Sequence, residues 1–187
     1  MKRIAVFASG TGTNAKNLIA HFELHRDAQV TLVVCNRADA GVVQIAQEHG
    51  VETMIVSREE FFSEHSIVQP LKDRGIDFIV LAGFLWLIPV ALISAFQNKI
   101  INIHPALLPK FGGKGMYGKK VHEAVLAKGE KETGITIHFV NEHFDEGKSI
   151  AQFVCPVMEG DTTEKLAARV QELEHKHFAE VVEKLVK

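Results

Sequence analysis

The sequence predicts a doubly wound α/β fold: a mostly parallel sheet covered by helices on both faces, with an antiparallel addition in the carboxyl-terminal half. Three observations predict it. Short apolar runs alternate with stretches of helical period through the first hundred residues, and those runs are apolar throughout instead of on every second position. After His104 the alternation gives way to two strand-like runs joined by an acidic turn. Strand, helix, strand repeated in this way joins parallel strands by crossovers. Uninterrupted apolar strands belong in a sheet buried on both faces.

RIAVFA (3–8) reads as the first strand and NAKNLIAHF as the first helix. VTLVVCN (30–36) is followed by GVVQIAQEHG, then TMIV by FFSEHSIVQPLKDRG, then DFIVLAG by PVALISAF. KIINIH (99–104) is the last strand of this half. A long Gly/Lys loop, PALLPKFGGKGMYGKK, leads to a helix around VHEAVLAKG. TGITIHFV and SIAQFVCPV then read as paired strands joined by NEHFDEGK, a short enough connection for an antiparallel pair. The chain closes on a helix in which Asp161 and Glu164 resemble a capping box and Leu166, Val170, Leu173 and Val181 form an apolar stripe.

Composition narrows the partners. The 187 residues, 47% hydrophobic, are enough for one full core, and no linker, repeat or low-complexity tract divides them. With 21 basic and 23 acidic side chains the formal charge is −2, and no basic run is long enough to track a nucleic-acid backbone. No segment has the length of a membrane span, and the amino terminus lacks a signal-peptide pattern. Cys35 and Cys155 lie far apart without a CxxC spacing, so neither a disulfide framework nor a thiolate metal site is expected. A cytoplasmic protein follows, without membrane or nucleic-acid partner.

The loop ASGTGTNAKN lies between the first strand and the first helix, where backbone N–H groups and a helix amino terminus converge on one spot suited to an anion. A Walker loop fails here at Ala15 and at Asn17. Gly10, Gly12 and Ala15 satisfy the looser dinucleotide fingerprint. The second strand, however, ends in Asn36 and Arg37 in place of the acid that would hold a ribose, which disfavours NAD and leaves NADP open. A tight turn whose glycines only allow close packing is the plain alternative.

Residues two apart on a strand share a face, so Asn102 and His104 project together while Ile101 and Ile103 face the other way. Pro105 stops the strand, leaving His104 at the carboxyl edge where open α/β sheets bind ligands. An amide that can stabilise an oxyanion beside an imidazole suits acyl or formyl transfer. Asp145, in the turn NEHFDEG, is the candidate carboxylate, expected to raise the pKa of His104 by favouring its charged form. A capped strand end and a turn-forming aspartate would explain the same residues without catalysis. His21 and His25, one helical turn apart, have metal-ligand spacing, but a solvated helix face is the simpler reading and no metal is expected. His175 and His177 do not face each other on a helix. No HExxH or G-x-S-x-G occurs, and no motif activates either cysteine.

The segments IAVFASGTGTN, CNRADAG, IVLAGFLWLI, INIHPALLPKF, GITIHFVNEHFDEG and ARVQELEH, in that order over nearly the whole chain, resemble the folate-dependent formyltransferases. NIHPALLP followed by HFV and the aspartate turn is the most specific part, and SGTGTN resembles the branch that acts on glycinamide ribonucleotide. The resemblance implies a Rossmann-like formyltransferase fold in one domain, residues 1–187. Its phosphate-binding half would be about 1–100 and its catalytic and folate half about 101–187. It implies transfer of the formyl group of 10-formyltetrahydrofolate, a co-substrate, to the amine of glycinamide ribonucleotide in purine biosynthesis, by a monomer or homodimer. Asn102, His104 and Asp145 match the catalytic trio. Gly10, Thr11, Gly12, Thr13 and Asn14 match the phosphate loop, and Glu174 matches an acid that contacts the sugar. Leu85, Trp86, Leu87 and Ile88, with Asn102 and the turn residues Asn141, Glu142, His143 and Phe144, match the walls that hold the pterin, although core packing alone would also explain Leu85 to Ile88. FGGKGMYGKKVHEA is longer than the family pattern, Trp86 stands where relatives can carry arginine, and REEFFSEHS departs from it. Formyltetrahydrofolate hydrolase, which normally adds an amino-terminal domain, and methionyl-tRNA formyltransferase, which adds a carboxyl-terminal one, share the trio. A chain of this length is expected to have room for neither. An NADP-binding Rossmann protein is the alternative from another class.

Overall fold

A computed structural model describes residues 1–63 and 67–187. Five strands alternate with helices in the first part of the chain: β1 (Lys2–Ala8), α1 (Thr13–Phe22), β2 (Ala28–Cys35), α2 (Gly41–Glu48), β3 (Glu52–Ile55), α3 (Arg58–Phe62), α4 (Val68–Asp73), β4 (Phe78–Leu81), α5 (Val90–Ala95) and β5 (Ile100–His104). The remainder is α6 (Lys119–Ala127), β6 (Glu132–Phe139), β7 (Ser149–Pro156) and α7 (Thr163–Val186). The strands form one sheet in the order β3-β2-β1-β4-β5-β6-β7. β1 to β5 are parallel, whereas β6 is antiparallel to both β5 and β7, as the sequence pattern predicts.

Alternation along β1 sends Ile4, Val6 and Ala8 to one face and Ala5 and Phe7 to the other, and all five are fully buried. The first face packs on α1, α2 and α7 through Leu18, Phe22, Val42, Val170 and Phe178. The second packs through Phe61, Leu71 and Leu92. Each such side chain, taken fully out of water, contributes roughly 1.5–3 kcal/mol.

Two local expectations are corrected. The closing helix is capped one residue later than the proposed box: Thr162 Oγ1 accepts from the backbone N–H of Lys165 at 3.3 Å. Asp161 instead pairs with the Arg169 guanidinium at 2.6 and 3.0 Å and accepts from the Met158 N–H, which lowers its carboxyl pKa to about 2. The helical stretch expected over FFSEHSIVQPLKDRG is divided into α3 and α4, and its residues 64–66 lie outside the described ones. A capping box formed by Ser57 and Glu60 opens α3. Among the described residues no helix is long and apolar enough to cross a membrane.

Strand order reverses direction between β1 and β4, which opens a crevice beyond their carboxyl ends. The two loops are tied there: the Ser9 N–H donates to the Gly83 carbonyl at 3.1 Å, and the Leu85 N–H donates to Ser9 Oγ at 3.2 Å.

Candidate active site

β5 carries Asn102 and His104 to its carboxyl edge, and Ile101 and Ile103 enter the opposite core, as strand alternation requires. The antiparallel register of β6 then sets His138 directly opposite Asn102, and Thr136 opposite His104. The Asn102 amide nitrogen is 3.1 Å from His138 Nε2 and donates to Asp145 Oδ1 at the longer distance of 3.4 Å. Its two hydrogens therefore point at an imidazole and a carboxylate. With the amide in this orientation His138 Nε2 is the acceptor, and Nδ1 carries the proton it donates to the Phe139 carbonyl at 2.8 Å.

Asp145 reaches the pair from the β6–β7 turn with φ 59, in the left-handed region. Its Oδ2 accepts from the Gly113 N–H at 2.9 Å and lies 3.5 Å from His104 Nδ1, while Oδ1 lies 3.6 Å from His138 Nε2. Gly112 completes this junction by close approach: a Cβ there would stand 2.5 Å from Leu108 Cδ2 and 3.2 Å from Asp145 Cβ. Beneath it, Thr136 Oγ1 donates to the Ala106 carbonyl at 2.7 Å and accepts from the Leu108 N–H and Gln152 Nε2, both at 2.9 Å. Those bonds anchor the loop after β5 to β6.

His104 is 3% exposed, and its Nε2 lies 2.8 Å from the Phe111 carbonyl. The expected rise in its pKa is overturned. Desolvation outweighs the Asp145 carboxylate and the Phe111 carbonyl, and His138 adds to the lowering, so the net shift is downward. Burial opposes ionisation of Asp145 too, but its hydrogen bonds and the two imidazoles prevail and hold its pKa below the ordinary value. Each group is thus displaced below its ordinary value, the imidazole toward its neutral form and the carboxylate toward its ionised one.

The glycine loop forms the other part of the crevice. Gly12 is the N-cap of α1 with φ 80, and a Cβ on it would come within 2.7 Å of Val42 Cα. Among the described residues no side chain caps α1 and its first turn has no acid, so its leading N–H groups have neither an intrahelical nor a side-chain acceptor. Gly10 and Thr11 are exposed beside it, and Thr13 Oγ1 accepts from Gln171 Nε2 at 3.1 Å. Asn14 Nδ2 donates to Glu174 Oε2 at 2.8 Å, while Asn14 Oδ1 is buried without a partner among the described residues. Glu174 keeps some exposed surface but is crowded enough that desolvation pushes its pKa up to about 7.

The proposed pterin walls divide. Ile88 is buried core, whereas Leu85 is 47% exposed beyond β4. Trp86 belongs to an aromatic cluster, with its ring 5.3 Å from Phe61, 5.8 Å from Phe62 and 5.9 Å from Phe84. Leu87, Asn141 and Phe144 are partly exposed, and Glu142 and His143 are exposed. Asn141 Oδ1 accepts from the His143 N–H at 3.0 Å and shapes that turn. Arg37, the residue that favoured NADP, is paired with Asp39 at 2.9 Å.

His138 is not singled out by any sequence motif. Its signal was present, since TIHF alternates and one antiparallel register sets the histidine against Asn102, but that register is not legible before the strands are paired. A surface depression lined by Met1, Lys2, Asp27, Asp77, Val186 and Lys187 lies at the opposite, amino-terminal edge of the strands, away from this chemistry.

Known proteins resemble the chain over nearly its whole length. Residues 2–182 match the profile of a family described as formyl transferase. The chain is 46% identical over 191 residues to the chloroplastic phosphoribosylglycinamide formyltransferase of Vigna unguiculata, covering 98% of this chain and 61% of that one. It is 35% identical to the phosphoribosylglycinamide formyltransferase of Bacillus subtilis (strain 168), covering 100% of this chain and 95% of that one. It thus spans less than two thirds of the plant protein's length and nearly all of the bacterial one's. Among solved structures, glycinamide ribonucleotide transformylase 1 from Geobacillus kaustophilus superposes with a TM-score of 0.90 at 39% identity, with all of both chains covered.

Proposed function

The chain belongs to the formyl transferase family, and from that premise we propose that it transfers the formyl group of 10-formyltetrahydrofolate to the amine of glycinamide ribonucleotide. The observation that carries the reading is the convergence of Asn102, His104 and Asp145 at one sheet edge, although 43 residues separate the amide from the carboxylate. The named relatives support the choice of acceptor, because both formyltransferases above are named for phosphoribosylglycinamide.

The reaction needs negative charge stabilised on a tetrahedral carbon after the amine attacks the formyl group. Asn102 supplies a donor. His138 retains one amide hydrogen at 3.1 Å, and the other, on the long 3.4 Å contact to Asp145, is the one that turns to the oxyanion. His104 Nδ1 is held by no short hydrogen bond. Neutral at rest, the imidazole gains proton affinity as charge develops, so its contribution is concentrated in the transition state, where it speeds the chemistry. His104 Nδ1 takes the amine's proton as the new C–N bond forms, Asp145 holds the resulting imidazolium, and the same proton passes through a water ordered by Asp145 to the folate nitrogen as the old C–N bond breaks.

The glycine loop would take the phosphate on the uncapped end of α1. Asn14 Oδ1, buried without a partner, and the Glu174 carboxyl beside it fit sugar hydroxyls, which can donate to both. Exposed Leu85 and the backbone of residues 141–144 would face the pterin, with Trp86 bracing the wall from behind. The two halves, about 1–100 and 101–187, would then act as one domain.

A thermal-shift comparison tests the substrate class. Glycinamide ribonucleotide or a folate analogue is expected to raise the melting temperature and NADP to leave it unchanged. Stabilisation by NADP alone would overturn the assignment.

A further inference from the structure

His21 and His25 do not form a solvated face. Both are mostly covered, with side-chain exposures of 28% and 25%, and both turn toward Glu183 of α7. His21 Nε2 lies 2.9 Å from Glu183 Oε2, and His25 Nε2 lies 3.4 Å from Oε1. One potential ligand atom from each residue lies within 4.8 Å of the others, and among the described residues this is the one such group of three. The two imidazoles stack at 5.8 Å with an interplanar angle of 20°, His21 set edge-on to Phe22 and His25 tilted against it, so the rings present parallel edges to the carboxylate.

We propose that His21, His25 and Glu183 form a binding site for a borderline divalent cation such as Zn²⁺, clamping the end of α1 to α7. Tetrahedral zinc with bonds of about 2.0–2.1 Å places neighbouring ligand atoms about 3.3 Å apart. His21 Nε2 and Glu183 Oε2, at 2.9 Å, stand near that spacing, and one ligand atom from each of the three residues lies within 4.8 Å of the others, so side-chain rotation can bring them onto one ion. Two imidazoles and one carboxylate, with water as the fourth ligand, are a donor set that suits zinc and not magnesium or calcium. The Lys187 ammonium, 2.7 Å from Glu183 Oε1, is the group the cation must displace or share the carboxylate with. Glu183 stands nine residues beyond Glu174 on α7, about 14 Å along the helix, so the site is separate from the proposed sugar contact and does not rest on the formyl-transfer reading.

The test uses the full chain after dialysis against a chelator. Calorimetric titration with Zn²⁺ is expected to show one equivalent bound, and Co²⁺ in its place is expected to give the intense visible bands of a tetrahedral ion. His25→Gln and Glu183→Gln should each weaken Zn²⁺ at least about 100-fold, since loss of a partner behind a ligand already costs 10- to 100-fold. Lys187→Ala should tighten it. Melting curves recorded without metal establish that each variant is folded. Failure of the parent chain to bind an equivalent of Zn²⁺, or parental affinity in a folded His21→Gln/His25→Gln chain, overturns the proposal.

Discussion

Asn102 on β5 and His138 on β6 face each other across an antiparallel ladder, with the amide nitrogen of one 3.1 Å from Nε2 of the other. The pairing gives the amide a fixed orientation that no neighbour on its own strand could supply. It also joins the parallel part of the sheet, which brings the glycine loop, to the antiparallel part, which brings Asp145. The site lies at the seam between them.

Loss of the Asn102 donor should therefore be felt in turnover. Asn102→Ala is expected to lower kcat by about 10²–10³ with little change in KM, because one oxyanion donor is worth about 2.7–4 kcal/mol in the transition state. Steady-state formyl transfer checks it, and near-normal kcat would remove the amide from the chemistry.

His138 acts through Asn102 in this account, so the two substitutions should not add. His138→Ala alone is expected to cost about 10²-fold in kcat, the scale of a misplaced catalytic group. In the Asn102→Ala background it should cost little more. His138→Gln, which retains an acceptor, should restore part of the loss. Additive losses in the double variant would mean that the histidine has a separate function.

Stability should depend on pH through groups of opposite sign. Burial lowers the pKa of His104 and His122 in the folded chain below the ordinary 6.5, so on acidification through the window below 6.5 the unfolded chain takes up more protons and stability is lost. Glu174 runs the other way: raised from 4.5 to about 7, it favours the folded state fully below 4.5 and loses that contribution as pH rises through 7. Urea unfolding between pH 5 and 8 separates them. His122→Gln should lessen the loss on the acid side, and Glu174→Gln should lessen the loss on the alkaline side. Unchanged slopes in both variants would contradict these assignments.

Gly112→Ala tests how closely Asp145 is held. The added methyl would overlap Leu108 Cδ2 and press on Asp145 Cβ, moving the carboxylate from His104. The expected result is a kcat loss of about 10²-fold with a modest drop in melting temperature, since the overlapped Leu108 group is the end of a flexible side chain. Full activity would show that the carboxylate tolerates displacement.

Much of this was legible in the residues because it is local. Apolar runs such as VTLVVCN declare buried parallel strands, and Asn102 and His104 share a face through strand geometry alone. What the residues concealed depends on pairing and burial. His138 acquires its partner only from the β5–β6 register, and the Phe111 carbonyl and Gly113 N–H are backbone groups without a side-chain signature. The direction of the His104 shift required knowing that the ring is buried, since the carboxylate by itself would have raised it. His21 and His25 likewise gained meaning from Glu183, distant in sequence on the last helix.

The central claim is that this edge of the sheet transfers a formyl group to an amine. It is tested most directly by following the loss of formyl from 10-formyltetrahydrofolate with and without glycinamide ribonucleotide. The account predicts loss that depends on the ribonucleotide and matches formylated product one for one. Formyl loss at the same rate without the acceptor, releasing formate, would contradict it and identify a hydrolase.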